Sequence, residues 1–295
     1  MFLKIRLANI SNSLIWMSSI INVSRVSPLF LNATENMNIH PVKLHVSKCG
    51  SPEKPAIVFL HGSPLSGRMW QPQLEHLTDF YCLAPDLPGH GQSAPITLGM
   101  QDLVEQLAHL INGSALNGKA HLVGLSFGGV VAQAIMVRAP EVVDHVILSG
   151  TSTRMNKLLV WLSMLNEPIL RFLRPEQVAA LVCMQFGISA QHRRMMSDDF
   201  KVFSSKTLTK VMQTYLEIEM PAKTHSPTLV AVGQKETVYA KRAARALVRG
   251  IPGARGVVVP DRGHVWNLEA PELFTQTVQS WLTDHPLPEG LEPFQ

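Results

Sequence analysis

Short apolar runs alternate with amphipathic segments along most of this chain, and this alternation constrains the fold more than any other feature. Residues 56–60 form a continuous apolar run, which is typical of a strand buried on both faces. Residues 100–111 instead carry leucines at helical spacing on one face. The alternation predicts a mostly parallel sheet with helices on both faces, an α/β fold. The predicted strands are 42–47, 56–60, 81–84, 121–125, 145–148, 228–232 and 256–259, and the predicted helices are 69–77, 100–111, 130–137, 240–249 and 271–282.

The alternation stops between residues 152 and 226, where helical spacing continues without a strand-like run. We call residues 152–226 the lid segment, because a helical stretch between two core strands predicts a lid over an α/β core made of residues 37–151 and 227–295. The lid segment carries ten Lys and Arg against six Asp and Glu, so the whole formal excess of +4 lies in it. This excess indicates either a solvated helical surface or a basic pocket mouth.

The lid segment also holds seven of the thirteen methionines. Methionine is flexible and polarizable, so these side chains either line an adaptable apolar pocket or simply pack the lid helices together. They are Met155, Met164, Met184, Met195, Met196, Met212 and Met220.

The ends of the chain do not follow the core pattern. Residues 1–34 contain no acid and many Ser and Asn, and their apolar runs are too broken to span a membrane or to serve as a clean signal peptide. We interpret residues 1–36 as a dispensable or disordered extension, or as an upstream artefact with translation starting at Met37; a transit peptide is the alternative. Unless that segment directs it elsewhere, we expect the protein in the cytoplasm. The Pro-rich tail, residues 286–295, is predicted to be loose.

Charge, cysteine and histidine content exclude several functional classes. A dispersed net charge of +4 does not indicate a nucleic-acid partner. Cys49, Cys82 and Cys183 are too few and too scattered for a disulfide framework or a zinc site, and we interpret them as ordinary small apolar residues. The twelve histidines show no paired metal-binding spacing. We therefore expect no metal and no organic cofactor, and the oligomeric state stays open.

The strongest chemical signal is the pentapeptide GLSFG at residues 124–128, a G-x-S-x-G motif between a predicted strand and a predicted helix. A sharp turn here requires small neighbours, Gly124 and Gly128, and raises the hydroxyl of Ser126 above the sheet. The helix N-terminus favours developing negative charge, and Phe127 is expected to supply a backbone N–H to it. The alternative is a serine N-cap between packing glycines.

A second turn, HGSP at residues 61–64, follows the predicted strand 56–60. After His61 and Gly62, the backbone N–H of Ser63 is placed to bind a substrate carbonyl oxygen, whereas Pro64 has no N–H to offer. The alternative is a tight structural turn.

A serine nucleophile needs a base with a pKa near neutrality, which histidine provides. His264 is chosen from twelve histidines because it follows the last core strand, while His90 and His145 are interpreted as structural. Glu236 is the only carboxylate between the strand 228–232 and Asp261, and it is the candidate to orient the imidazole. Asp261 is too close to His264 in sequence to reach its far nitrogen easily, and the alternative for Glu236 is an exposed loop residue.

These segments together resemble the α/β-hydrolase superfamily, specifically its capped serine esterase-like members. The sequence DLPGHGQS at residues 86–93 is close to the loop pattern D-L-P-G-H-G-x-S of that group, and the resemblance covers residues 43–284. The order serine, acid, histidine is the one this fold uses. The other matching segments are residues 61–62 for the oxyanion hole, 124–128 for the nucleophile elbow, 233–236 for the acid loop, and 263–264 with Glu269 and Pro271 for the histidine segment.

The resemblance implies a serine hydrolase that cleaves small carboxylic esters through an acyl-enzyme. Glu236 departs from the more usual aspartate, and Ser126 separates the chain from dehalogenases and epoxide hydrolases that use an aspartate nucleophile. Alternatives on the same three residues are a carbon–carbon bond hydrolase, a lactonase and a cofactor-free haloperoxidase. A non-enzymatic small-molecule receptor of the same fold is a further alternative. The expected partner is a small, apolar ester substrate.

Overall fold

Eight strands of the described chain form one sheet. The structure is a computed structural model that describes residues 43–97, 99–164, 173–186 and 188–294. The strands are β1 (Val46–Cys49), β2 (Ala56–Leu60), β3 (Tyr81–Pro85), β4 (Ala120–Leu125), β5 (Val143–Ser149), β6 (Thr228–Gly233), β7 (Arg255–Val259) and β8 (Glu292–Pro293). Their order is β1-β3-β2-β4-β5-β6-β7-β8. Only β1 and β8 run antiparallel to their neighbours, so the prediction of a mostly parallel sheet is confirmed.

Helices cover both faces of this sheet, as predicted. The α-helices are α1 (Gln71–His76), α2 (Met100–Ser114), α3 (Phe127–Arg138), α4 (Lys157–Met164), α5 (Pro175–Phe186), α6 (Arg193–Val202), α7 (Ser205–Thr214), α8 (Val238–Gly250), α9 (Trp266–Glu269) and α10 (Pro271–Leu282). Buried residues of α2, α3 and α8 form one apolar cluster, and buried residues of α1, α9 and α10 form a second one on the other face.

Strand β2 shows how the sequence divides between these two clusters. Its side chains alternate, so Val58 and Leu60 belong to the cluster under α2 and α3 while Ile57 and Phe59 belong to the cluster under α1 and α10. A strand covered on both faces needs apolar residues at every position, which explains the unbroken run AIVFL. The central strands therefore form a rigid platform, and their carboxyl ends carry the candidate site.

The differences from the predicted boundaries have local causes. The predicted strand 42–47 is shifted toward the C-terminus, because β1 pairs with β3 only from Val46 to Cys49. The predicted helix 69–77 is a 3-10 turn, Gly67–Trp70, followed by α1, which begins where Pro72 supplies a preset backbone angle. The three cysteines are free; Cys82 and Cys183 are buried among apolar residues, whereas Cys49 is exposed.

The tail is not loose throughout, contrary to the prediction. Glu292 and Pro293 pair with Val258 and Val257 of β7. The ring of Phe294 lies where a side chain at Gly256 would otherwise be, and the Phe294 N–H donates to the Gly256 carbonyl at 3.1 Å. This packing orders the tail. The local composition of a Pro-rich segment does not reveal it, because it depends on pairing with β7.

The lid segment contains α4, α5, α6 and α7, and no strand occurs in its described parts, residues 152–164, 173–186 and 188–226. Asp199 of α6 ties it to the core, because its buried carboxylate accepts hydrogen bonds from Arg68 at 2.6 Å and from Ser66 at 2.9 Å. The hypothesis for residues 1–36 lies outside the described residues. Among the helices of the described chain, none is long and apolar enough to cross a membrane.

Candidate active site

Ser126 stands at the turn between β4 and α3 with φ 55° and ψ −117°. Positive φ is uncommon for a residue with a side chain, and here it results from the sharp strand-to-helix reversal. The reversal brings backbone so close that neither flanking glycine has room for a methyl group. A Cβ at Gly124 would lie 2.6 Å from the Gly128 carbonyl oxygen, and one at Gly128 would overlap the Leu60 carbonyl. This packing explains the pattern G-x-S-x-G physically.

Two hydrogen bonds from the neighbouring strand hold this turn in place. The backbone N–H of Ser126 donates to the Ser149 carbonyl at 2.9 Å. The hydroxyl of Thr151 donates to the Ser126 carbonyl at 2.8 Å. The side chain of Ser126 is therefore presented from a backbone that is fixed on both sides.

His264 and Glu236 form a hydrogen-bonded pair at the ends of the next strands. Glu236 follows β6 and His264 follows β7, and the distance from His264 Nδ1 to Glu236 Oε2 is 2.8 Å. The Glu236 side chain is only 3% exposed, and its second oxygen accepts the Gly233 N–H at 3.2 Å. A buried carboxylate on Nδ1 fixes the ring orientation and leaves Nε2 as the nitrogen that exchanges protons with a nucleophile.

The loop that carries His264 is held against the residues that support Ser126. Trp266 Nε1 donates to the hydroxyl of Ser149 at 2.8 Å, and the Gly263 N–H donates to the Glu269 carboxylate at 3.0 Å. A Cβ at Gly150 would lie 2.9 Å from His264 Nδ1, so the imidazole packs directly over that glycine. Since Ser149 also binds the Ser126 backbone, the serine and the histidine–glutamate pair both lie at the carboxyl end of β5.

Two other carboxylates near the site, Asp86 and Asp261, have other partners. Asp86 is buried, and its two oxygens accept the backbone N–H groups of Gly67 and Gln92, both at 2.8 Å. Asp261 is exposed on a turn with φ 57°, where its N–H donates to Gln234. Neither group is bonded to the His264 ring in the way Glu236 is, so Glu236 is the carboxylate that the geometry favours.

The turn HGSP, which follows β2, lies beside Ser126. A Cβ at Gly62 would be 3.2 Å from the Ser126 Cβ, which leaves no space for a larger residue without a shift. Ser63 follows Gly62, and its hydroxyl lies 2.9 Å from His90 Nε2. The backbone of residues 62–63 is thus brought to the same place as Ser126 and the first residue of α3, Phe127.

His61 and His90 hold this turn as neutral imidazoles. His61 Nε2 accepts the Leu87 N–H at 2.8 Å, and its Nδ1 lies 3.1 Å from the Gly62 carbonyl. His90 Nδ1 lies 3.0 Å from the Pro88 carbonyl, so its Nε2 accepts the Ser63 hydroxyl. Burial lowers the pKa of His61 to about 4 and that of His90 to about 3. The sequence interpretation of His90 as structural omitted this contact with Ser63.

These two histidines predict a loss of stability in acid. The unfolded imidazoles titrate near 6.5, so below that pH the unfolded state binds more protons than the folded one. Stability is expected to fall as the pH drops from 6.5 toward 4, by about 2 kcal/mol per buried histidine at pH 5. Urea unfolding at pH 7.5 and pH 5 measures this difference. His90→Gln should reduce it, whereas His76→Gln, at an exposed position, should not; equal stability of the parent at both pH values would contradict the prediction.

Tyr215 is a residue of the candidate site that sequence analysis missed. It follows α7 in the lid segment, is 9% exposed, and its hydroxyl interacts with the side chain of Ser126. Burial raises the pKa of Tyr215 to about 12, so the phenol is neutral near pH 7. Its ring also packs near that of Phe127, with centroids 6.5 Å apart. Only the fold brings it there, 89 residues beyond Ser126 in the chain.

Comparison with known proteins agrees with this arrangement. Residues 57–277 match the sequence model of the alpha/beta hydrolase family. An AB hydrolase superfamily protein of Gibberella zeae is 30% identical over 83% of this chain and 86% of its own, and a pimeloyl-[acyl-carrier protein] methyl ester esterase of Nitrosomonas europaea is 26% identical over 78% and 96%. A thermophilic esterase from Thermogutta terrifontis, solved with malate bound, has a TM-score of 0.65 and 27% identity, covering 82% of this chain and 93% of that one. The chain belongs to the alpha/beta hydrolase family.

Proposed function

We propose that this protein is a serine hydrolase that cleaves small carboxylic esters through an acyl-enzyme. The observation that carries the proposal is the hydrogen-bonded pair of His264 and Glu236 at the same strand ends as a serine on a strand-to-helix turn. An imidazole held by a buried carboxylate is the base that a serine hydroxyl needs near pH 7. The esterases among the relatives support the reaction class.

Each step of the proposed reaction has a group in the site. Ser126 Oγ attacks the ester carbonyl while His264 Nε2 takes its proton and Glu236 stabilises the resulting imidazolium. The backbone N–H groups of Ser63 and Phe127 bind the oxyanion, and the N-terminus of α3 adds a favourable dipole. Collapse of this intermediate releases the alcohol, which receives the proton from His264. Water then repeats the sequence on the acyl-enzyme and frees the acid. These steps need no metal and no organic cofactor.

Tyr215 supplies a further testable part of this proposal. Its hydroxyl interacts with the Ser126 side chain in the substrate-free protein, and we expect it to bind an oxygen of the substrate once the serine attacks. Tyr215→Phe should lower kcat about 10-fold through the loss of one hydrogen bond, with KM changed less than about twofold. Tyr239→Phe is the matched control, because that hydroxyl binds Ser152 at 2.9 Å instead. Equal effects of the two substitutions on kcat would contradict a direct role for Tyr215.

We propose that the substrate preference is set by a cavity of about 160 Å³ between α2 and α7, which reaches the site through Phe127, the neighbour of Ser126 in the chain. Its lining includes the apolar side chains of Ile96, Leu103 and Val211, and this favours neutral medium-chain esters. The methionines do not provide this lining: of the six lid methionines whose side chains the structure describes, none lines the cavity, and Met155, Met212 and Met220 pack against the core instead.

One observation favours a second candidate, an anionic half-ester of a diacid. Lys206 and Lys210 stand one helical turn apart on α7 and line the same cavity, and neither forms an ion pair within the described chain. Both lysines are exposed, so salt screens their field strongly. We therefore expect the apolar lining of the cavity to decide the substrate preference.

A substrate profile tests this choice. The enzyme should prefer neutral medium-chain esters over short esters, lactones, thioesters and half-esters. Its kcat/KM should vary less than about threefold between low and 0.5 M salt, since little of the binding is electrostatic. A preference for the half-ester that disappears in salt, and that Lys206→Gln with Lys210→Gln also removes, would establish the second candidate instead.

A further inference from the structure

A cluster of potential metal ligands lies at the amino ends of β4 and β5. His145 Nδ1 is 2.9 Å from Asp144 Oδ1, and His121 Nδ1 is 3.9 Å from Asp144 Oδ2. One ligand atom from each of the three residues lies within 4.8 Å of the others. Four ligands placed tetrahedrally at about 2.0–2.1 Å from a zinc ion lie about 3.3 Å apart. The distances of 2.9 and 3.9 Å bracket that value. His121 Nδ1 now accepts the backbone N–H of His145 at 3.3 Å, so closing the site through this nitrogen requires it to exchange that bond for the cation.

We propose that His121, Asp144 and His145 form a binding site for one late first-row divalent cation such as Zn²⁺. Two imidazoles and one carboxylate suit zinc, cobalt, nickel and copper, whereas magnesium and calcium require mostly oxygen ligands. Three protein ligands leave a fourth position for water. The His145 ring gives up the proton that its Nδ1 shares with Asp144 when the cation binds there.

The two imidazoles of the cluster are largely buried, at 8% and 13% exposure, while the carboxylates of Asp144 and Asp284 are 41% and 85% exposed. Asp284, just after α10, lies 3.4 Å from His145 Nε2, and a carboxylate on the far nitrogen is the usual way that proteins orient a metal-binding histidine. The His121 ring is only 8% exposed and packs edge-on against Phe80, while the His145 ring packs edge-on against Trp281. Packing against the core therefore fixes the orientation of both imidazoles.

The position of the cluster separates it from the candidate active site. His121 is the second residue of β4, and Ser126 follows the last residue of the same strand. At about 3.3 Å per residue the two sites lie roughly 16 Å apart, at opposite ends of the sheet. A cation here would clamp β4, β5 and the end of α10, so it acts on stability and plays no part in ester cleavage.

The test uses untagged, EDTA-treated, full-length protein carrying Cys49→Ser, which removes the exposed thiol as a competing zinc ligand. Calorimetric titration with ZnCl₂ should give one saturable site per chain. At a zinc concentration about 100-fold above Kd, Tm should rise by about 5 °C, because the cation binds only the folded state. MgCl₂ should give no shift, and ester hydrolysis should be unchanged.

Substitutions locate the site. Asp144→Asn and His145→Gln should abolish the zinc-dependent rise in Tm, and Asp284→Asn should weaken Kd about 10-fold. His285→Gln is the matched control and should behave as the parent, because His285 lies next to Asp284 but bonds Thr283. Absence of saturable zinc binding to the parent overturns the proposal. Parental binding by both Asp144→Asn and His145→Gln overturns it too, since the zinc would then lie elsewhere.

Discussion

Replacing Ser126 with alanine is expected to lower ester turnover by about 10⁶-fold. The substitution removes the only atom that forms the acyl bond, and it leaves the strained turn and the hydrogen bonds of its backbone in place. Alanine tolerates φ 55° no better and no worse than serine does, so Tm should change little. The variant should also lose all labelling by a fluorophosphonate probe, which reacts only with an activated serine. Residual hydrolysis would come from the oxyanion-binding groups alone.

Two control substitutions at other serines test whether the effect is specific to Ser126. Ser152→Ala removes a nearby hydroxyl that binds Tyr239, and it should keep both labelling and turnover within about threefold of the parent. Ser63→Ala retains the backbone N–H that we assign to the oxyanion hole but loses the bond to His90, so it should lower turnover by no more than about 10-fold. Labelling or parental turnover by Ser126→Ala would show that the nucleophile lies elsewhere.

The second large effect is expected at the carboxylate. Glu236→Gln should reduce kcat by about 10⁴-fold, because a neutral amide cannot stabilise the imidazolium and favours the wrong tautomer of His264. The shape of the side chain is preserved, and the Gly233 N–H can still donate to the amide oxygen. Circular dichroism and Tm should therefore stay close to those of the parent. Glu236→Asp should reduce kcat less than Glu236→Gln does, since aspartate keeps the negative charge and only moves it one methylene further from His264.

The other two carboxylates provide the controls. Asp261→Asn should leave kcat within about twofold, because that side chain is exposed and lies on its own turn. Asp86→Asn should lower Tm clearly while changing kcat little, since both oxygens of Asp86 bind backbone N–H groups inside the protein. A larger loss of kcat in Asp261→Asn than in Glu236→Gln would mean that Asp261, and not Glu236, orients the imidazole.

The sequence predicted the sheet and the segments of the site because both depend on short stretches of chain. The unbroken apolar run of β2 reflects burial on two faces, and the glycines around Ser126 reflect a turn with no room for side chains. Strand and helix positions in the core are close to those predicted, and the last helix, α10, has the predicted ends. Periodicity and turn residues are properties of neighbouring positions, so they can be seen without a fold.

What the sequence did not reveal depends on contacts between distant residues. In the sequence, Tyr215 is only an aromatic residue near the end of a helix. The fold of the lid segment brings its hydroxyl to the Ser126 side chain. Asp199 looks like a surface acid of α6, yet it is buried under Arg68 and Ser66. Burial raises the pKa of Asp199, and the bonds from Arg68 and Ser66 oppose this. No local pattern separates such residues from exposed ones, because their roles are set by the partner across the interface.

Strand β8 has a consequence for how this protein behaves in concentrated solution. β7 is the last long strand of the sheet, and without β8 its row of backbone N–H and C=O groups would face water on one side. Such an exposed border is a template on which a second molecule can add its own strand, and growth of that kind leads to aggregates. The two residues of β8 and the ring of Phe294 cover this border at Val257 and Val258. Removing residues 290–295 should therefore leave the catalytic end of the sheet intact while making the protein prone to self-association.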